Sequence, residues 1–193
     1  GGVVIDCGNF NFLKDEKFPS LSKPDPSYNN IRFSETFGDF GFAMKVKADT
    51  LRDLGCTLSP QNAFYILNGI ETLNLRMKKH TDNALKAATF LQQHPKVNLV
   101  SYAGLTNNKY YELGKKYFPN GPGSIFTITL KNGYDACVSM VENIKLFSHV
   151  ANVGDTRSLI IHPASTTHSQ LSDKEKVKAG AGPDVIRLSI GLE

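Results

Sequence analysis

A long run of helical periodicity between positions 59 and 93 constrains the fold more than any other feature of the sequence. Ser59 suits an N-cap and Pro60 the first helical position, whereas His94 before Pro95 ends the pattern. A straight helix of this length would span roughly 50 Å, which is longer than a small domain requires. We therefore expect the helix to bend, with Gly69 as its weakest point, and to link two domains.

Strands and short helices alternate after this helix, which predicts an α/β or α+β fold with a small sheet covered by helices. Ser172 and Glu175 form a capping box for a short helix that stops at Gly180. The predicted strands are 97–102, 124–130, 159–161 and 185–190, and the other predicted helices are 107–117 and 133–145.

The first part of the chain is less regular. Residues 1–6 are apolar enough for a strand, and a strand that begins without a partner indicates a piece of a larger domain. Residues 8–34 contain Pro19, Pro24 and Pro26 without a clear period, which predicts a long irregular loop. Loops of this length are usually functional or ordered by a partner.

The composition excludes several classes of protein. Hydrophobic residues make up 40% and charged residues 21%, a balance typical of water-soluble globular proteins, and there is no apolar run long enough for a membrane span. Cys7, Cys56 and Cys137 lack CxxC spacing, which predicts reduced thiols in a cytoplasmic protein. On the apolar stripe of its helix, Cys137 is expected to be buried.

The charged and histidine residues favour neither a nucleic-acid surface nor a metal site. The clusters Lys78-Lys79-His80 and Lys115-Lys116 lack interleaved aromatic residues, so we interpret them as solvated helix faces. His162 and His168 have no carboxylate or thiol at ligand spacing, so no metal is expected.

Arg187 lies in the middle of the last predicted strand, where burial of its charge is costly without a partner. Two interpretations are equally favoured by the residues alone. The guanidinium could form an internal ion pair with an acid such as Asp155, or it could bind the carboxylate of a ligand through two parallel hydrogen bonds.

Several stretches together resemble one enzyme family over essentially the whole chain. They are GGVVIDCGNF, KPDPSYNN, LRDLGCTLSPQNAFYILNGIETLNLRMKKHTDNALKAATFL, LFSHVANVGDTRSLIIHPASTTHSQL and DVIRLSIGLE. The HPASTTH element and its distance from the final IRLS strand are the most specific. On these residues the chain resembles the C-terminal half of the trans-sulfuration (Cys/Met metabolism) family of pyridoxal-phosphate (PLP) enzymes.

Two features resemble the sulfhydrylase branch of this family. These are the long segment between Cys7 and Cys56, and Asn152 at a position where the lyases usually carry serine. An enzyme of this branch would exchange the acetate of O-acetyl-L-homoserine for sulfide and give L-homocysteine. The alternatives are another family member, such as methionine γ-lyase or cystathionine γ-synthase, and a non-catalytic fragment that self-associates.

The resemblance also implies the domain organisation of a fold-type-I enzyme. Residues 1–57 would be a remnant strand of the large PLP domain with a connecting segment, 58–94 a kinked interdomain helix, and 95–193 the small C-terminal domain with a mostly antiparallel sheet. The N-terminal PLP domain would be missing from this chain. The whole enzyme would be a homotetramer with active sites completed between subunits.

The site residues follow from the same resemblance. Arg187 matches the family arginine that binds the substrate α-carboxylate. Asn152 matches a position near the cofactor and substrate, and Thr167 matches a threonine that lines the pocket. The Schiff-base lysine of the family would precede the first strand and lies outside this chain, and no cofactor-binding residue is assigned here. The chain alone is therefore expected to bind PLP poorly and to be inactive.

Overall fold

A computed structural model describes residues 1–14 and 16–193 of the chain. They form two compact units, Gly1–Asn68 and Gly69–Glu193. In the described residues no helix is both long and apolar enough to cross a membrane. The boundaries 1–57, 58–94 and 95–193 stay a prediction.

The first unit consists mainly of short helical segments. The predicted irregular loop at 8–34 contains short helical turns, and two of its prolines begin such turns: Pro19 and Pro26 each occupy a first helical position. The Asp25 carboxylate caps the second of these turns by accepting a hydrogen bond from the Ser27 N–H at 2.9 Å. The α-helices are α1 Pro19–Ser22, α2 Phe33–Phe37, α3 Gly41–Lys45 and α4 Arg52–Leu54, with 3-10 turns at Phe12–Lys14, Pro26–Tyr28 and Gly38–Phe40 and a π-helical segment at Val46–Leu51.

Lys45 contacts three other residues of this unit. Its ammonium group forms ion pairs with Asp25 at 2.6 Å and Asp49 at 2.8 Å. It also lies 4.9 Å from the ring centroid of the buried Phe33. Burial opposes the charge of Lys45, but its hydrogen bonds to the two carboxylates outweigh burial and raise its pKa.

Residues 1–6 belong to no strand pairing among the described residues. Val3, Val4 and Ile5 are all exposed, which is consistent with an apolar stretch that has no partner strand within the described part of the chain. Its assignment to a larger sheet stays a prediction.

The long helix is interrupted. Helix α5 covers Pro60–Glu71 and helix α6 covers Leu73–Gln92, with Thr72 between them at φ −103° and ψ 0°. The expectation of a break is met, but it lies at Thr72 and not at Gly69. Helix α6 buries His80, Ala84 and Ala88, whereas α5 buries no residue.

The second unit is built on a five-stranded sheet within the described residues. The strand order is β1-β2-β5-β4-β3, and the neighbouring strands are antiparallel except for the parallel pair β3 and β4. This confirms the expected α/β fold with a mostly antiparallel sheet. The strands are β1 Val97–Ser101, β2 Ile125–Leu130, β3 Ser148–His149, β4 Leu159–Ile161 and β5 Val185–Ser189, and the helices are α7 Tyr111–Tyr117, α8 Gly133–Asn143 and α9 Asp173–Lys178.

The core of this unit covers one face of the sheet. Alternate residues of β2 and β5, including Phe126, Ile128 and Leu188, pack with α6 and α8. Cys137 of α8 is buried here as expected, and burial raises the pKa of its thiol to about 11, so that it stays protonated. The capping box of Ser172 and Glu175 is also confirmed.

Helix α6 holds the end of the chain through its polar side chains. His80 Nδ1 lies 2.7 Å from the Ile190 carbonyl oxygen, and the Asn83 amide donates to the carbonyls of Gly191 at 3.0 Å and Glu193 at 3.1 Å. The interpretation of His80 as part of a solvated face is therefore wrong, because this residue is only 1% exposed.

We predict that Leu188→Ala destabilises the second unit by about 2–5 kcal/mol, because it leaves a cavity beside buried strands. Leu146→Ala is the matched control: that side chain is 66% exposed, and the change should stay within about 0.5 kcal/mol. Urea unfolding followed by circular dichroism measures both. Equal effects would show that the core does not lie on this face of the sheet.

Candidate functional site

Arg187 occupies the central strand of the sheet. Its neighbours in register are Thr127 of β2 and Ile161 of β4. The residue is half-buried, and its Nη2 group donates a hydrogen bond to the backbone carbonyl of Asn152 at 3.3 Å. The structure thus brings together two of the three residues expected at the site.

Asp155 is not the partner of Arg187. Both of its carboxylate oxygens accept hydrogen bonds from the Arg157 side chain, each at 3.2 Å, and Oδ1 also accepts from the Arg157 backbone N–H at 3.0 Å. These hydrogen bonds and the charge of Arg157 lower the pKa of Asp155 to about 2. Arg187 forms no ion pair with any residue in 1–14 or 16–193, so its charge stays available to a ligand.

The Asn152 side chain points into its own turn. Its Oδ1 accepts from the Val153 N–H at 2.8 Å, and its Nδ2 donates to Asp155 at 3.4 Å. Gly154 has φ +81°, a conformation that favours glycine and allows this turn. In this arrangement Asn152 contacts Arg187 through its backbone, while its carboxamide is held beside the site.

Thr167 does not line the depression that Arg187 and Asn152 share. Its exposed hydroxyl is 2.9 Å from His168 Nδ1, and within the described residues it has no hydrogen bond to Arg187 or Asn152. In the preceding turn, the His162 ring forms hydrogen bonds with the Ser165 hydroxyl at 2.8 Å and with the Pro183 carbonyl at 2.9 Å. The role of Thr167 stays a prediction.

Ser189 is a site residue that the sequence did not single out. It lines the same shallow depression as Arg187 and Asn152, and its buried hydroxyl has no hydrogen-bond partner among the described residues. An unpaired buried hydroxyl is costly unless a ligand or water satisfies it. The alternation of the strand places Ser189 on the face of Arg187, which is the signal that could have identified it.

The comparisons with known proteins decide the family. The family described as "Cys/Met metabolism PLP-dependent enzyme" matches residues 1–193. The chain belongs to this family. Over 100% of its length it is 45% identical to the O-acetyl-L-homoserine sulfhydrylase 1 of Thermus thermophilus, 46% to the O-acetyl-L-homoserine sulfhydrylase of Leptospira meyeri and 44% to the homocysteine synthase of Schizosaccharomyces pombe. It spans only 45 to 46% of the length of these relatives.

A solved structure shows the same fold. It is a putative O-acetylhomoserine (thiol)-lyase from Campylobacter jejuni that contains an N'-pyridoxyl-lysine-5'-monophosphate. The similarity has a TM-score of 0.81 at 42% identity and covers 93% of this chain and 42% of that chain.

The lysines described in this family member do not fit covalent attachment of the cofactor. A Schiff-base lysine reacts through its neutral amine, which requires a lowered pKa and a sheltered site. All lysines in the described residues are exposed except Lys45 and Lys176, and both of these form ion pairs. The pKa of Lys45 is raised, which is the opposite of that requirement. The described lysines therefore do not fit the covalent link to PLP.

We predict that Arg157→Gln raises the pKa of Asp155 from about 2 toward its ordinary value of 3.8, because the guanidinium holds it down. Arg187→Gln is the matched control and should leave this pKa unchanged. The carboxyl carbon shift of Asp155 in an NMR titration measures both.

The sign of the effect on stability follows from the same pKa. Since the folded-state value lies below the ordinary one, the contribution of Asp155 is complete above pH 3.8 and is lost as the pH falls toward about 2. If Arg187→Gln changed the pKa of Asp155, this result would support an ion pair between Asp155 and Arg187 and would contradict the prediction.

Proposed function

We propose that this chain forms the substrate-carboxylate-binding part of a PLP-dependent O-acetyl-L-homoserine sulfhydrylase. The whole enzyme would replace the acetate of O-acetyl-L-homoserine by sulfide and release L-homocysteine. The single observation that carries the proposal is the Arg187 guanidinium, which is half-buried in the central strand and has no acidic partner in the described residues. The relatives named sulfhydrylase and homocysteine synthase support the choice of substrate.

The site residues would bind and orient an amino-acid substrate. Arg187 has several N–H donors, and the Asn152 carbonyl takes up one of them, which leaves the rest for the α-carboxylate. The Asn152 carbonyl already holds the guanidinium of Arg187, so less side-chain freedom is lost when the carboxylate binds. The Asn152 carboxamide and the Thr167 and Ser189 hydroxyls would contact the polar groups of the substrate. PLP, when bound to the whole enzyme, supplies the electron sink for the reaction.

We expect Arg187→Ala to lower kcat/KM by roughly 10- to 100-fold, because a hydrogen bond to a charged group contributes about 1.5–3 kcal/mol. The assay would use a fusion of this chain to the remaining N-terminal part of the Thermus thermophilus relative, with O-acetyl-L-homoserine and sulfide. Arg187→Lys should restore only part of the loss, since lysine lacks the planar fork. Arg32→Ala, which removes an exposed arginine paired with Glu35, serves as the control. An unchanged kcat/KM for Arg187→Ala would make Arg187 a structural residue.

The same fusion separates the members of the family. Homocysteine formation with sulfide, in preference to cystathionine formation with cysteine, supports the sulfhydrylase. Release of methanethiol from methionine as the fastest reaction would instead indicate a γ-lyase.

We also predict that the chain alone forms no specific covalent adduct with PLP, because its described lysines are exposed or paired in ion pairs. Borohydride reduction of a mixture with PLP, followed by intact-mass and peptide analysis, should show only scattered substoichiometric labelling. Labelling of a single lysine at one equivalent would contradict the assignment.

A non-catalytic, self-associating fragment is the second candidate, and exposed apolar residues favour it. Ile66, Leu67 and Ile70 of α5 are each more than 40% exposed. Exposed apolar residues that form a contiguous patch usually mark a surface that a partner covers. In analytical ultracentrifugation a concentration-dependent dimer that Leu67→Glu abolishes would support this candidate. A monomer at all concentrations would remove it.

A further inference from the structure

A second cavity lies on the opposite face of the sheet from Arg187. Thr127 is the register partner of Arg187, so the alternate residues Ile128 and Leu130 face the other way. Both line a cavity of about 540 Å³. Small-molecule sites in proteins usually measure roughly 300–1,000 Å³. This cavity is therefore large enough for a ligand and is separate from the candidate substrate site.

The floor of this cavity is apolar. Val97, Ile128 and Leu130 form it with their buried side chains, and Leu91 of α6 and Met140 of α8 complete the walls. An apolar group placed there would be removed from water without leaving a polar group unsatisfied. The floor thus fits the apolar body of a ligand.

The rim of the cavity is basic. Lys96 and Lys131 both line it, and the Lys131 N–H donates to the Lys96 carbonyl at 3.0 Å, so the two lysines lie side by side at the ends of β1 and β2. Neither has an ion pair within the described residues, and no Asp or Glu is among the described residues that line the cavity. Two adjacent cations without a counter-charge attract an anion.

Neutral hydrogen-bond donors lie next to these lysines. The Lys96 N–H donates to His94 Nδ1 at 3.2 Å, which places the proton of the neutral ring on Nε2, where it can be donated. Asn132 precedes the 11-residue helix α8 and makes no capping hydrogen bond with its side chain. The acidic residue in the first turn of α8, Asp135, is exposed and does not line the cavity.

We propose that this cavity binds a small amphipathic carboxylate. The apolar body would lie on Ile128 and Leu130, and the carboxylate would lie between the ammonium groups of Lys96 and Lys131. Two other classes of ligand fit less well. A neutral hydrocarbon would form no charge interaction with the two lysines, and a strongly polar anion would leave the apolar floor in contact with water.

Octanoate is the probe for this proposal, and its neutral analogue is 1-octanol. In 15N-edited NMR spectra of the full 193-residue chain, octanoate should cause saturable shifts centred on the amides of Lys96, Val97 and Lys131. We expect octanoate to bind at least about fivefold more tightly than octanol, because its carboxylate can form two solvent-exposed charge pairs that octanol cannot form.

Matched variants make the test specific. The double variant Lys96→Gln/Lys131→Gln should weaken octanoate binding at least about fivefold, and both side chains are exposed, so the fold should persist. Lys116→Gln, an exposed lysine of α7 outside the cavity, should have no effect. Ser139→Phe should fill the cavity and abolish binding of both probes.

Three results would overturn the proposal. The first is the absence of saturable shifts at these amides with octanoate. The second is that the unmodified chain binds octanoate no more tightly than octanol, and that the double variant binds octanoate as tightly as the unmodified chain does. The third is a set of shifts at the same amides that depends on protein concentration without a ligand, which would mean that a second copy of the chain covers the cavity.

Discussion

The position of β5 between β2 and β4 is the constraint on which the second unit depends. Arg187 lies beside Thr127 and Ile161, while Leu188 lies beside Phe126 and Ile160. Because side chains alternate along a strand, a slip of one residue would move the core residues of β5 to the face of Arg187 and would move Arg187 into the core. The burial of Ile186 and Leu188 therefore fixes the orientation of the arginine as well as the core.

The charge of Arg187 is available because Asp155, the acid expected to pair with it, forms a local ion pair with Arg157. Asp155 and Arg157 are two residues apart, so their pairing closes almost no loop and costs little chain entropy. A pair between Asp155 and Arg187 would have to bridge a much longer separation in the chain. The turn at Gly154 therefore leaves Asn152 as the residue that contacts Arg187, through a neutral carbonyl that orients the guanidinium without neutralising it.

The positive charge of the chain is unevenly compensated. Lys45, Lys78 and Lys115 form ion pairs with nearby acids. Arg187 on one face of the sheet, and Lys96 with Lys131 at the edge of the other, have none within the described residues. The sheet keeps these two positive regions apart, since the hydrogen-bonded backbone of β2 and β5 lies between them. The two surfaces also differ in shape: Arg187 lies at a shallow depression, whereas the lysines line the rim of a larger apolar cavity.

The sequence by itself determined the features that neighbouring residues encode. The main strands, the two faces of β5, the burial of Cys137 and the capping box at Ser172 all follow from short-range periodicity or chemistry. The family motifs also predicted a role for Arg187 and Asn152, and these two residues are in contact in the structure.

Only the tertiary structure decided which distant groups meet. His80 is buried, and its ring forms a hydrogen bond with the carbonyl of Ile190, 110 positions away. Its lysine neighbours in the sequence had suggested an exposed face. The turns at 8–34 form because Lys45 and the aromatic residues hold them, and the two-residue strand β3 exists only through its pairing with β4. The cavity at Lys96 and Lys131 likewise depends on the adjacent ends of β1 and β2. Periodicity fixes which side of an element is apolar, whereas the partner that covers it is set by the packing of the whole chain.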